Sequence, residues 1–325
     1  MKKMAANVES MAYNGAVPWH GLGVPVKENL TPAEILVAAS LNWSVRREGI
    51  VTSVSGQTML DHYALVRDVD NQILGICGKE YQPFQNSEVF DFFTKFVEAG
   101  KMEMHIAGSL LNGKYIWALA KIKDGQFNLM GDDPNYSYLL MVSPHVWGKA
   151  MTLLFTSVRV VCWNTMNMAL SRIIAERFRI LHNRTFPELK AAAQDTIEQV
   201  LVVKEKYAQQ ALLLAQAKAE KDQALEYFAR LVSPKALDSF SKISDLNELN
   251  DNARRIIYNF EKGPGAELVS AKGTWWGAFN AVTRFVDHQQ GRSGQDKRLY
   301  DSWLGIKSKL KHQALDLAIE YAEAA

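Results

Sequence analysis

The sequence predicts an α+β protein: an N-terminal antiparallel β-hairpin sheet with a packed helix, followed by a mostly helical C-terminal part with one long helix. Three observations predict it. Asn112-Gly113 sits between two strand-like runs, Met102–Leu111 and Lys114–Ile122, and Asn-Gly is the preferred pair for a two-residue type I′ turn. The chain up to about residue 170 is rich in β-branched residues and turn chemistry. From Pro187 to about Leu231 there is no internal Gly or Pro, and Ala, Glu, Lys, Leu and Gln dominate. Two regions are therefore expected, a β-rich α+β domain over 1–170 and a helical region over 171–325.

The strands follow in order. The runs over 45–54 and 58–66, with a return over 72–77 after Asp68-Val69-Asp70-Asn71, form one expected hairpin set. The Asn112-Gly113 hairpin is the second, and 138–142 and 152–162 add two strands. Pro32 to about Ser40 reads as a short helix with Thr31 as N-cap and Pro32 at its first position. Asn86–Ala99 reads as one helix, its stripe Val89, Phe90, Phe93, Phe96 and Val97 ending at Gly100. An unbroken helix over about 187–231 extends roughly 65 Å at 1.5 Å per residue. Its apolar stripe (Ile197, Val200, Tyr207, Ala211, Leu214) is narrow, near the coiled-coil limit. Further helices are expected over 246–260, over 274–288 and from Asp296 or Ser302 to the end.

Composition narrows the function. The chain has 325 residues, 48% hydrophobic and 22% charged, so a sizeable core is affordable and disorder throughout is excluded. No apolar run reaches the roughly 18–20 residues of a membrane span, and the start has lysines but no apolar signal core, so no membrane partner and a cytoplasmic location are expected. Two cysteines exclude a disulfide framework and a cysteine-based zinc cluster. A net charge of +2 excludes binding of nucleic acid by bulk charge alone. Its split is −1 over 1–170 (14 Lys+Arg, 15 Asp+Glu) and +3 beyond (23 and 20).

The familiar catalytic signatures are missing: no phosphate-cradling Gly-x-x-x-x-Gly-Lys-Ser/Thr loop, no His-Glu-x-x-His, no Gly-x-Ser-x-Gly. The seven histidines never fall at short ligand spacing. No catalytic residue, metal or cofactor is therefore assigned. Two segments suggest binding. In Ser143–Lys149, a tip between strands carries His145, Trp147 and Lys149, and the following run carries Arg159 and ends in Trp163. Cations facing phosphates and rings facing bases are what a single-strand binder uses. The structural alternative is an ordinary hairpin whose Arg159 pairs with a carboxylate of the net-acidic first part. Farther on, Arg172, Arg177 and Arg179 cluster with His182 and Arg184, and arginine suits bidentate phosphate contact. Their alternative is a solvated junction. Tyr81 and Lys79 complete the candidate nucleic-acid contacts.

The same segments carry a family resemblance. Pro18-Trp19-His20-Gly21-Leu22-Gly23, Leu41-Asn42-Trp43-Ser44-Val45, Tyr63–Arg67, Leu74–Asn86, Val158–Thr165 and Trp276–His288 resemble blocks of the uncharacterised phage/plasmid-like proteins, a domain-of-unknown-function family of prophages and conjugative plasmids. One block departs: that family tends to Ser-His-Asp-Gly-Ser where this chain has Ser143-Pro144-His145-Val146-Trp147-Gly148, so no role of that Asp transfers. The resemblance, and a distant similarity of that family to phage single-strand annealing proteins, imply an oligomer that binds single-stranded DNA and anneals complementary strands in recombination, without a cofactor. In this reading the long helix joins subunits. The alternatives are a mobile-element factor that binds a host protein, such as an inhibitor of host defence, and a nucleic-acid-processing enzyme.

Overall fold

The computed structural model describes residues 10–14, 23–159, 161, 164–169, 186–234, 249–290 and 301–324. The protein is mixed α+β. The strands are β1 (Met11–Asn14), β2 (Val24–Val26), β3 (Val45–Val51), β4 (Thr58–Arg67), β5 (Ile73–Gly78), β6 (Met102–Leu110), β7 (Tyr115–Ile122), β8 (Phe127–Leu129), β9 (Asp133–Pro144), β10 (Thr152–Arg159) and β11 (Asn164–Ala169). The helices are α1 (Pro32–Ala38), α2 (Asn86–Asp91), α3 (Thr94–Glu98), α4 (Phe186–Gln216), α5 (Lys221–Val232), α6 (Asp251–Lys262), α7 (Trp275–Arg284) and α8 (Ile306–Glu323); α7 continues as a π-helical turn over Phe285–Gln289.

Among the described residues the strands form two sheets. The large one runs β11-β10-β9-β7-β6-β1-β2, with β8 on β9, and the small one is β3-β4-β5. The Asn112-Gly113 turn forms as its chemistry requires: both residues have positive φ (58° and 80°) and Lys114 N–H closes onto Leu111 O.

Both faces of the large sheet are buried, and strand parity sorts the side chains. Ile116, Ala118, Ala120, Leu139, Met141, Leu153 and Phe155 face the main core, which also holds Tyr207, Trp275, Trp276 and Phe279 of the helices. Trp117, Leu119, Tyr138, Leu140, Val142 and Val158 face a second cluster with Trp303. The main core is thus continuous across residue 170, because α4 and α7 lie against β10 and β11.

Two helices differ from expectation. The stretch over 187–231 is not one helix: α4 stops at Gln216 and α5 starts at Lys221. No helix breaker is present. Instead the backbone leaves the helix to bond another segment, with Ala219 N–H on Gly273 O, Trp275 N–H on Ala217 O, and a β-bridge between Lys218 and Thr274. Tertiary hydrogen bonds override local propensity here. The single helix expected over 86–99 is likewise split into α2 and α3 at Phe92-Phe93, where both rings are drawn into the core.

Candidate functional site

The structure separates the expected contact residues into three groups. Arg159, His145 and Tyr81 are buried, at 3%, 0% and 6% exposure. Lys79, Trp147 and Lys149 are exposed. Trp163, Arg172, Arg177 and Arg179 lie outside the described residues.

The buried group does not reach a polynucleotide, and the reasons are geometric. Arg159 shares strand parity with Leu153 and Phe155, so β10 turns it toward the helices. There its Nε donates to both carboxylate oxygens of Asp133 (2.8 and 3.0 Å), and its Nη2 donates to Gly265 O (3.1 Å). Ser270 and the Trp276 indole also donate to Asp133 (2.7 and 3.0 Å), and the Trp276 ring lies 5.9 Å from the guanidinium. A carboxylate with four donor contacts and a guanidinium held on two elements make a closed set. This is the structural alternative, Arg159 paired with a carboxylate of the first part. His145 donates from Nε2 to Asn86 Oδ1 (2.9 Å), while Asn86 donates to Leu41 O (2.9 Å). The imidazole lies 5.3 Å from the Trp43 ring, tying α2 to the β9–β10 connection. Tyr81 donates to Pro144 O (3.4 Å), and burial, with Cys77 nearby, pushes its phenol pKa well up.

A second buried polar set lies close by at the same junction, since Thr165 pairs with Val158 across β10 and β11. Lys311 Nζ is 2.9 Å from Asp287 Oδ1, 2.9 Å from Ser302 Oγ and 2.9 Å from Thr165 O, and Thr165 N–H donates to Asp287 Oδ2 (2.8 Å). Burial favours a protonated Asp287, yet Lys311, His288 and the donors from Ser302 and Thr165 outweigh it and leave the pKa lowered. Ser302 beside a lysine resembles a nucleophile and base, but Ser302 donates its proton to Asp287 and the lysine's donors are spent on acceptors. The arrangement fastens β11, the π-helical turn and α8 together. Among the described residues, no three His, Cys, Asp or Glu side chains are grouped to hold a metal ion.

The exposed group assembles at the small sheet. Trp147, 54% exposed, stands on the connection from β9 to β10 and meets His62 edge-on at 6.0 Å. Its ring comes to 3.2 Å from where a Cβ on Gly78 would lie, so the close approach depends on that glycine. His62 and Gly78 are cross-strand partners, as are Ala64 and Ile76. A register shift between Leu65 and Val66 then pairs Val66 with Ile73. This bulge lets Ile73 and Ile76, three positions apart, both lie exposed while Leu74 stays buried. The result is a strip of Trp147, Ile76 and Ile73. Leu60 stands exposed just before Asp61, which takes a positive φ of 62°. Charge around it is balanced: Lys79 sits 3.7 Å from Asp61, Arg46 pairs with Glu48 at 2.6 Å, and Lys149 is exposed beside Trp147. Reading the sequence found Trp147 and the lysines but missed Ile73, Ile76 and Leu60; the bulge is what exposes Ile73 together with Ile76.

The model of a domain of unknown function, DUF932, matches residues 73–304. The chain belongs to the DUF932 family. That match runs from β5 to the residues just before α8, and so covers Ile73, Ile76, Trp147, Lys149, the Asp133–Arg159 set, and Thr165, Asp287 and Ser302 of the second set, but not Lys311. The motifs over 18–23, 41–45 and 63–67 lie outside it. No curated protein and no solved structure matches this DUF932 chain. Among the described residues no helix is long and apolar enough to cross a membrane.

Proposed function

We propose that this DUF932 protein is a mobile-element binding factor, of phage or plasmid origin, that grips a host protein in the cytoplasm through the strip of Trp147, Ile76, Ile73 and Leu60. One observation carries the reading: apolar side chains of the small sheet are exposed beside the Trp147 ring that packs on it, with opposite charges interleaved rather than one sign dominating. Contiguous apolar exposure of this kind marks an interaction site, and a central Trp with a polar rim is the usual composition of a protein-binding hot spot. A photo-crosslinking residue placed at Ile76 is expected to capture one host protein in cells, and Trp147→Ala is expected to abolish the capture. The same residue placed at Tyr258, an exposed position on α6, is the control. Equal capture at both positions, or none at Ile76, defeats the reading.

A second reading keeps single-stranded DNA as the ligand, with an oligomer annealing complementary strands. Trp147 between Lys149 and the Lys79 side of the sheet favours it: a base stacks on an exposed ring for about 1–3 kcal/mol while lysines meet phosphates. Arg159 takes no part in this version. Gel shifts across a salt series test it: binding that weakens steeply with salt and is lost in Trp147→Ala supports it. Absent or salt-indifferent binding removes it.

A further inference from the structure

A cleft of about 500 Å³ opens between β10 and the start of α8, away from the strip. Its floor is Leu154, Trp303 and Leu304. Trp303 is 6% exposed and stands edge-on to Trp117 at 4.9 Å, so the floor is a fixed part of the second apolar cluster. Its rim comes from one side of α8, where Ser308, Lys309 and His312 fall at helical spacing. The ring of His312 donates from Nδ1 to Ser308 O (2.8 Å), one turn back, which fixes the imidazole against its own helix. Lys309 is exposed and makes no ion pair among the described residues. Asp316 lines the far end, about 10 Å along the axis from Lys309 at 1.5 Å per residue.

We propose that this cleft is a binding site for a small amphiphilic anion, with a flat apolar body on Trp303, Leu154 and Leu304 and its carboxylate, sulfonate or phosphate at Lys309 and His312. Three features point the same way. The volume lies within the range that encloses ordinary small ligands. Most of the lining is apolar, with polar groups gathered on one side, the division such ligands require. The charges are separated along the helix: the cation stands at one end, and Asp316 repels an anionic group from the other, so the ligand has one favoured direction. The site is independent of the partner-binding strip, and either can fail without the other.

The probe is 1-anilinonaphthalene-8-sulfonate, titrated into the full chain and followed by its fluorescence. Saturable one-to-one binding is expected. Lys309→Glu is expected to weaken it about tenfold or more, the scale of a lost charge-assisted contact. Asp316→Asn is expected to tighten it, and Ser308→Trp, which fills the cleft from its rim, to abolish it. All three positions are at least partly exposed, and thermal melts verify that each variant is folded. The proposal is overturned if no saturable binding occurs, if Lys309→Glu and Ser308→Trp leave it unchanged, or if Trp147→Ala rather than Ser308→Trp removes it, since the probe then sits on the strip.

Discussion

Lys149 and Arg159 stand ten positions apart in one hairpin, each near a tryptophan, and they have opposite fates. Arg159 is drawn under the helices, where Asp133, Gly265 and the Trp276 ring meet it. Lys149 stays in water beside Trp147. The same chemistry, a cation and an aromatic ring, serves structure in one place and an open surface in the other. The difference lies in where the strand points each side chain and in whether acceptors stand ready around it. A buried guanidinium persists only with its counter-charge and acceptors prebuilt. The tip has no such cage, so its exposed ring remains available for contact.

The largest expected effect breaks the closed side of this contrast. Asp133→Ala leaves Arg159 buried without its carboxylate and also strands the donors of Ser270 and Trp276. A loss of about 3–5 kcal/mol is expected, read from urea unfolding. Replacing both partners with apolar residues of similar volume, as in Asp133→Leu with Arg159→Met, should recover much of that loss. If Asp133→Ala is no less stable than the parent, the ion pair does not hold the junction closed, and Arg159 returns as a candidate contact.

Acid is expected to loosen the buried side in two separate steps. His105, placed where the β6–β7 register shifts, has its pKa lowered from 6.5 to about 4 by burial and by Lys121 nearby. The unfolded chain therefore binds the extra proton first, and stability falls as pH drops from about 6.5 toward about 4. Asp287 is also lowered, from an ordinary 3.8, so its contribution is intact above that value and is lost only as pH falls below it. His105→Gln is expected to flatten the upper step and Asp287→Asn the lower one, with unfolding midpoints measured across pH. A single step removed by neither variant contradicts both assignments.

Much of the fold was legible in the sequence. The Asn112-Gly113 turn, the hairpins and the Thr31 cap rest on local chemistry, and they stand where local chemistry puts them. The break at 217–220 was not legible, because its cause is a partner strand at Gly273–Trp275, distant in sequence. The inward turn of Arg159 was legible: alternation from Leu153 through Phe155 points it to the same side as those core residues, as the carboxylate-paired alternative requires. Its partner Asp133 follows the same alternation back from Met141 and Leu139 on β9. The outward turn of Ile73 beside Ile76 was not legible, because strict alternation sets residues three apart on opposite faces, and only the bulge cancels it.

The smallest effect on stability sharpens the open side of the contrast. Trp147→Ala removes a ring that is more than half exposed and touches His62 by its edge. Surface changes away from caps, cores and buried networks usually stay within about 0.5 kcal/mol, and the truncation here should fall near that bound. Partner capture is expected to vanish in the same variant, because a central tryptophan carries a disproportionate share of a contact. The pairing of outcomes is what discriminates. A residue kept for packing costs stability when truncated, as Asp133 is expected to, whereas a residue kept for contact costs binding and little else. If Trp147→Ala destabilises the fold by several kcal/mol, the ring is a plug on the edge of the small sheet, and the strip loses its centre.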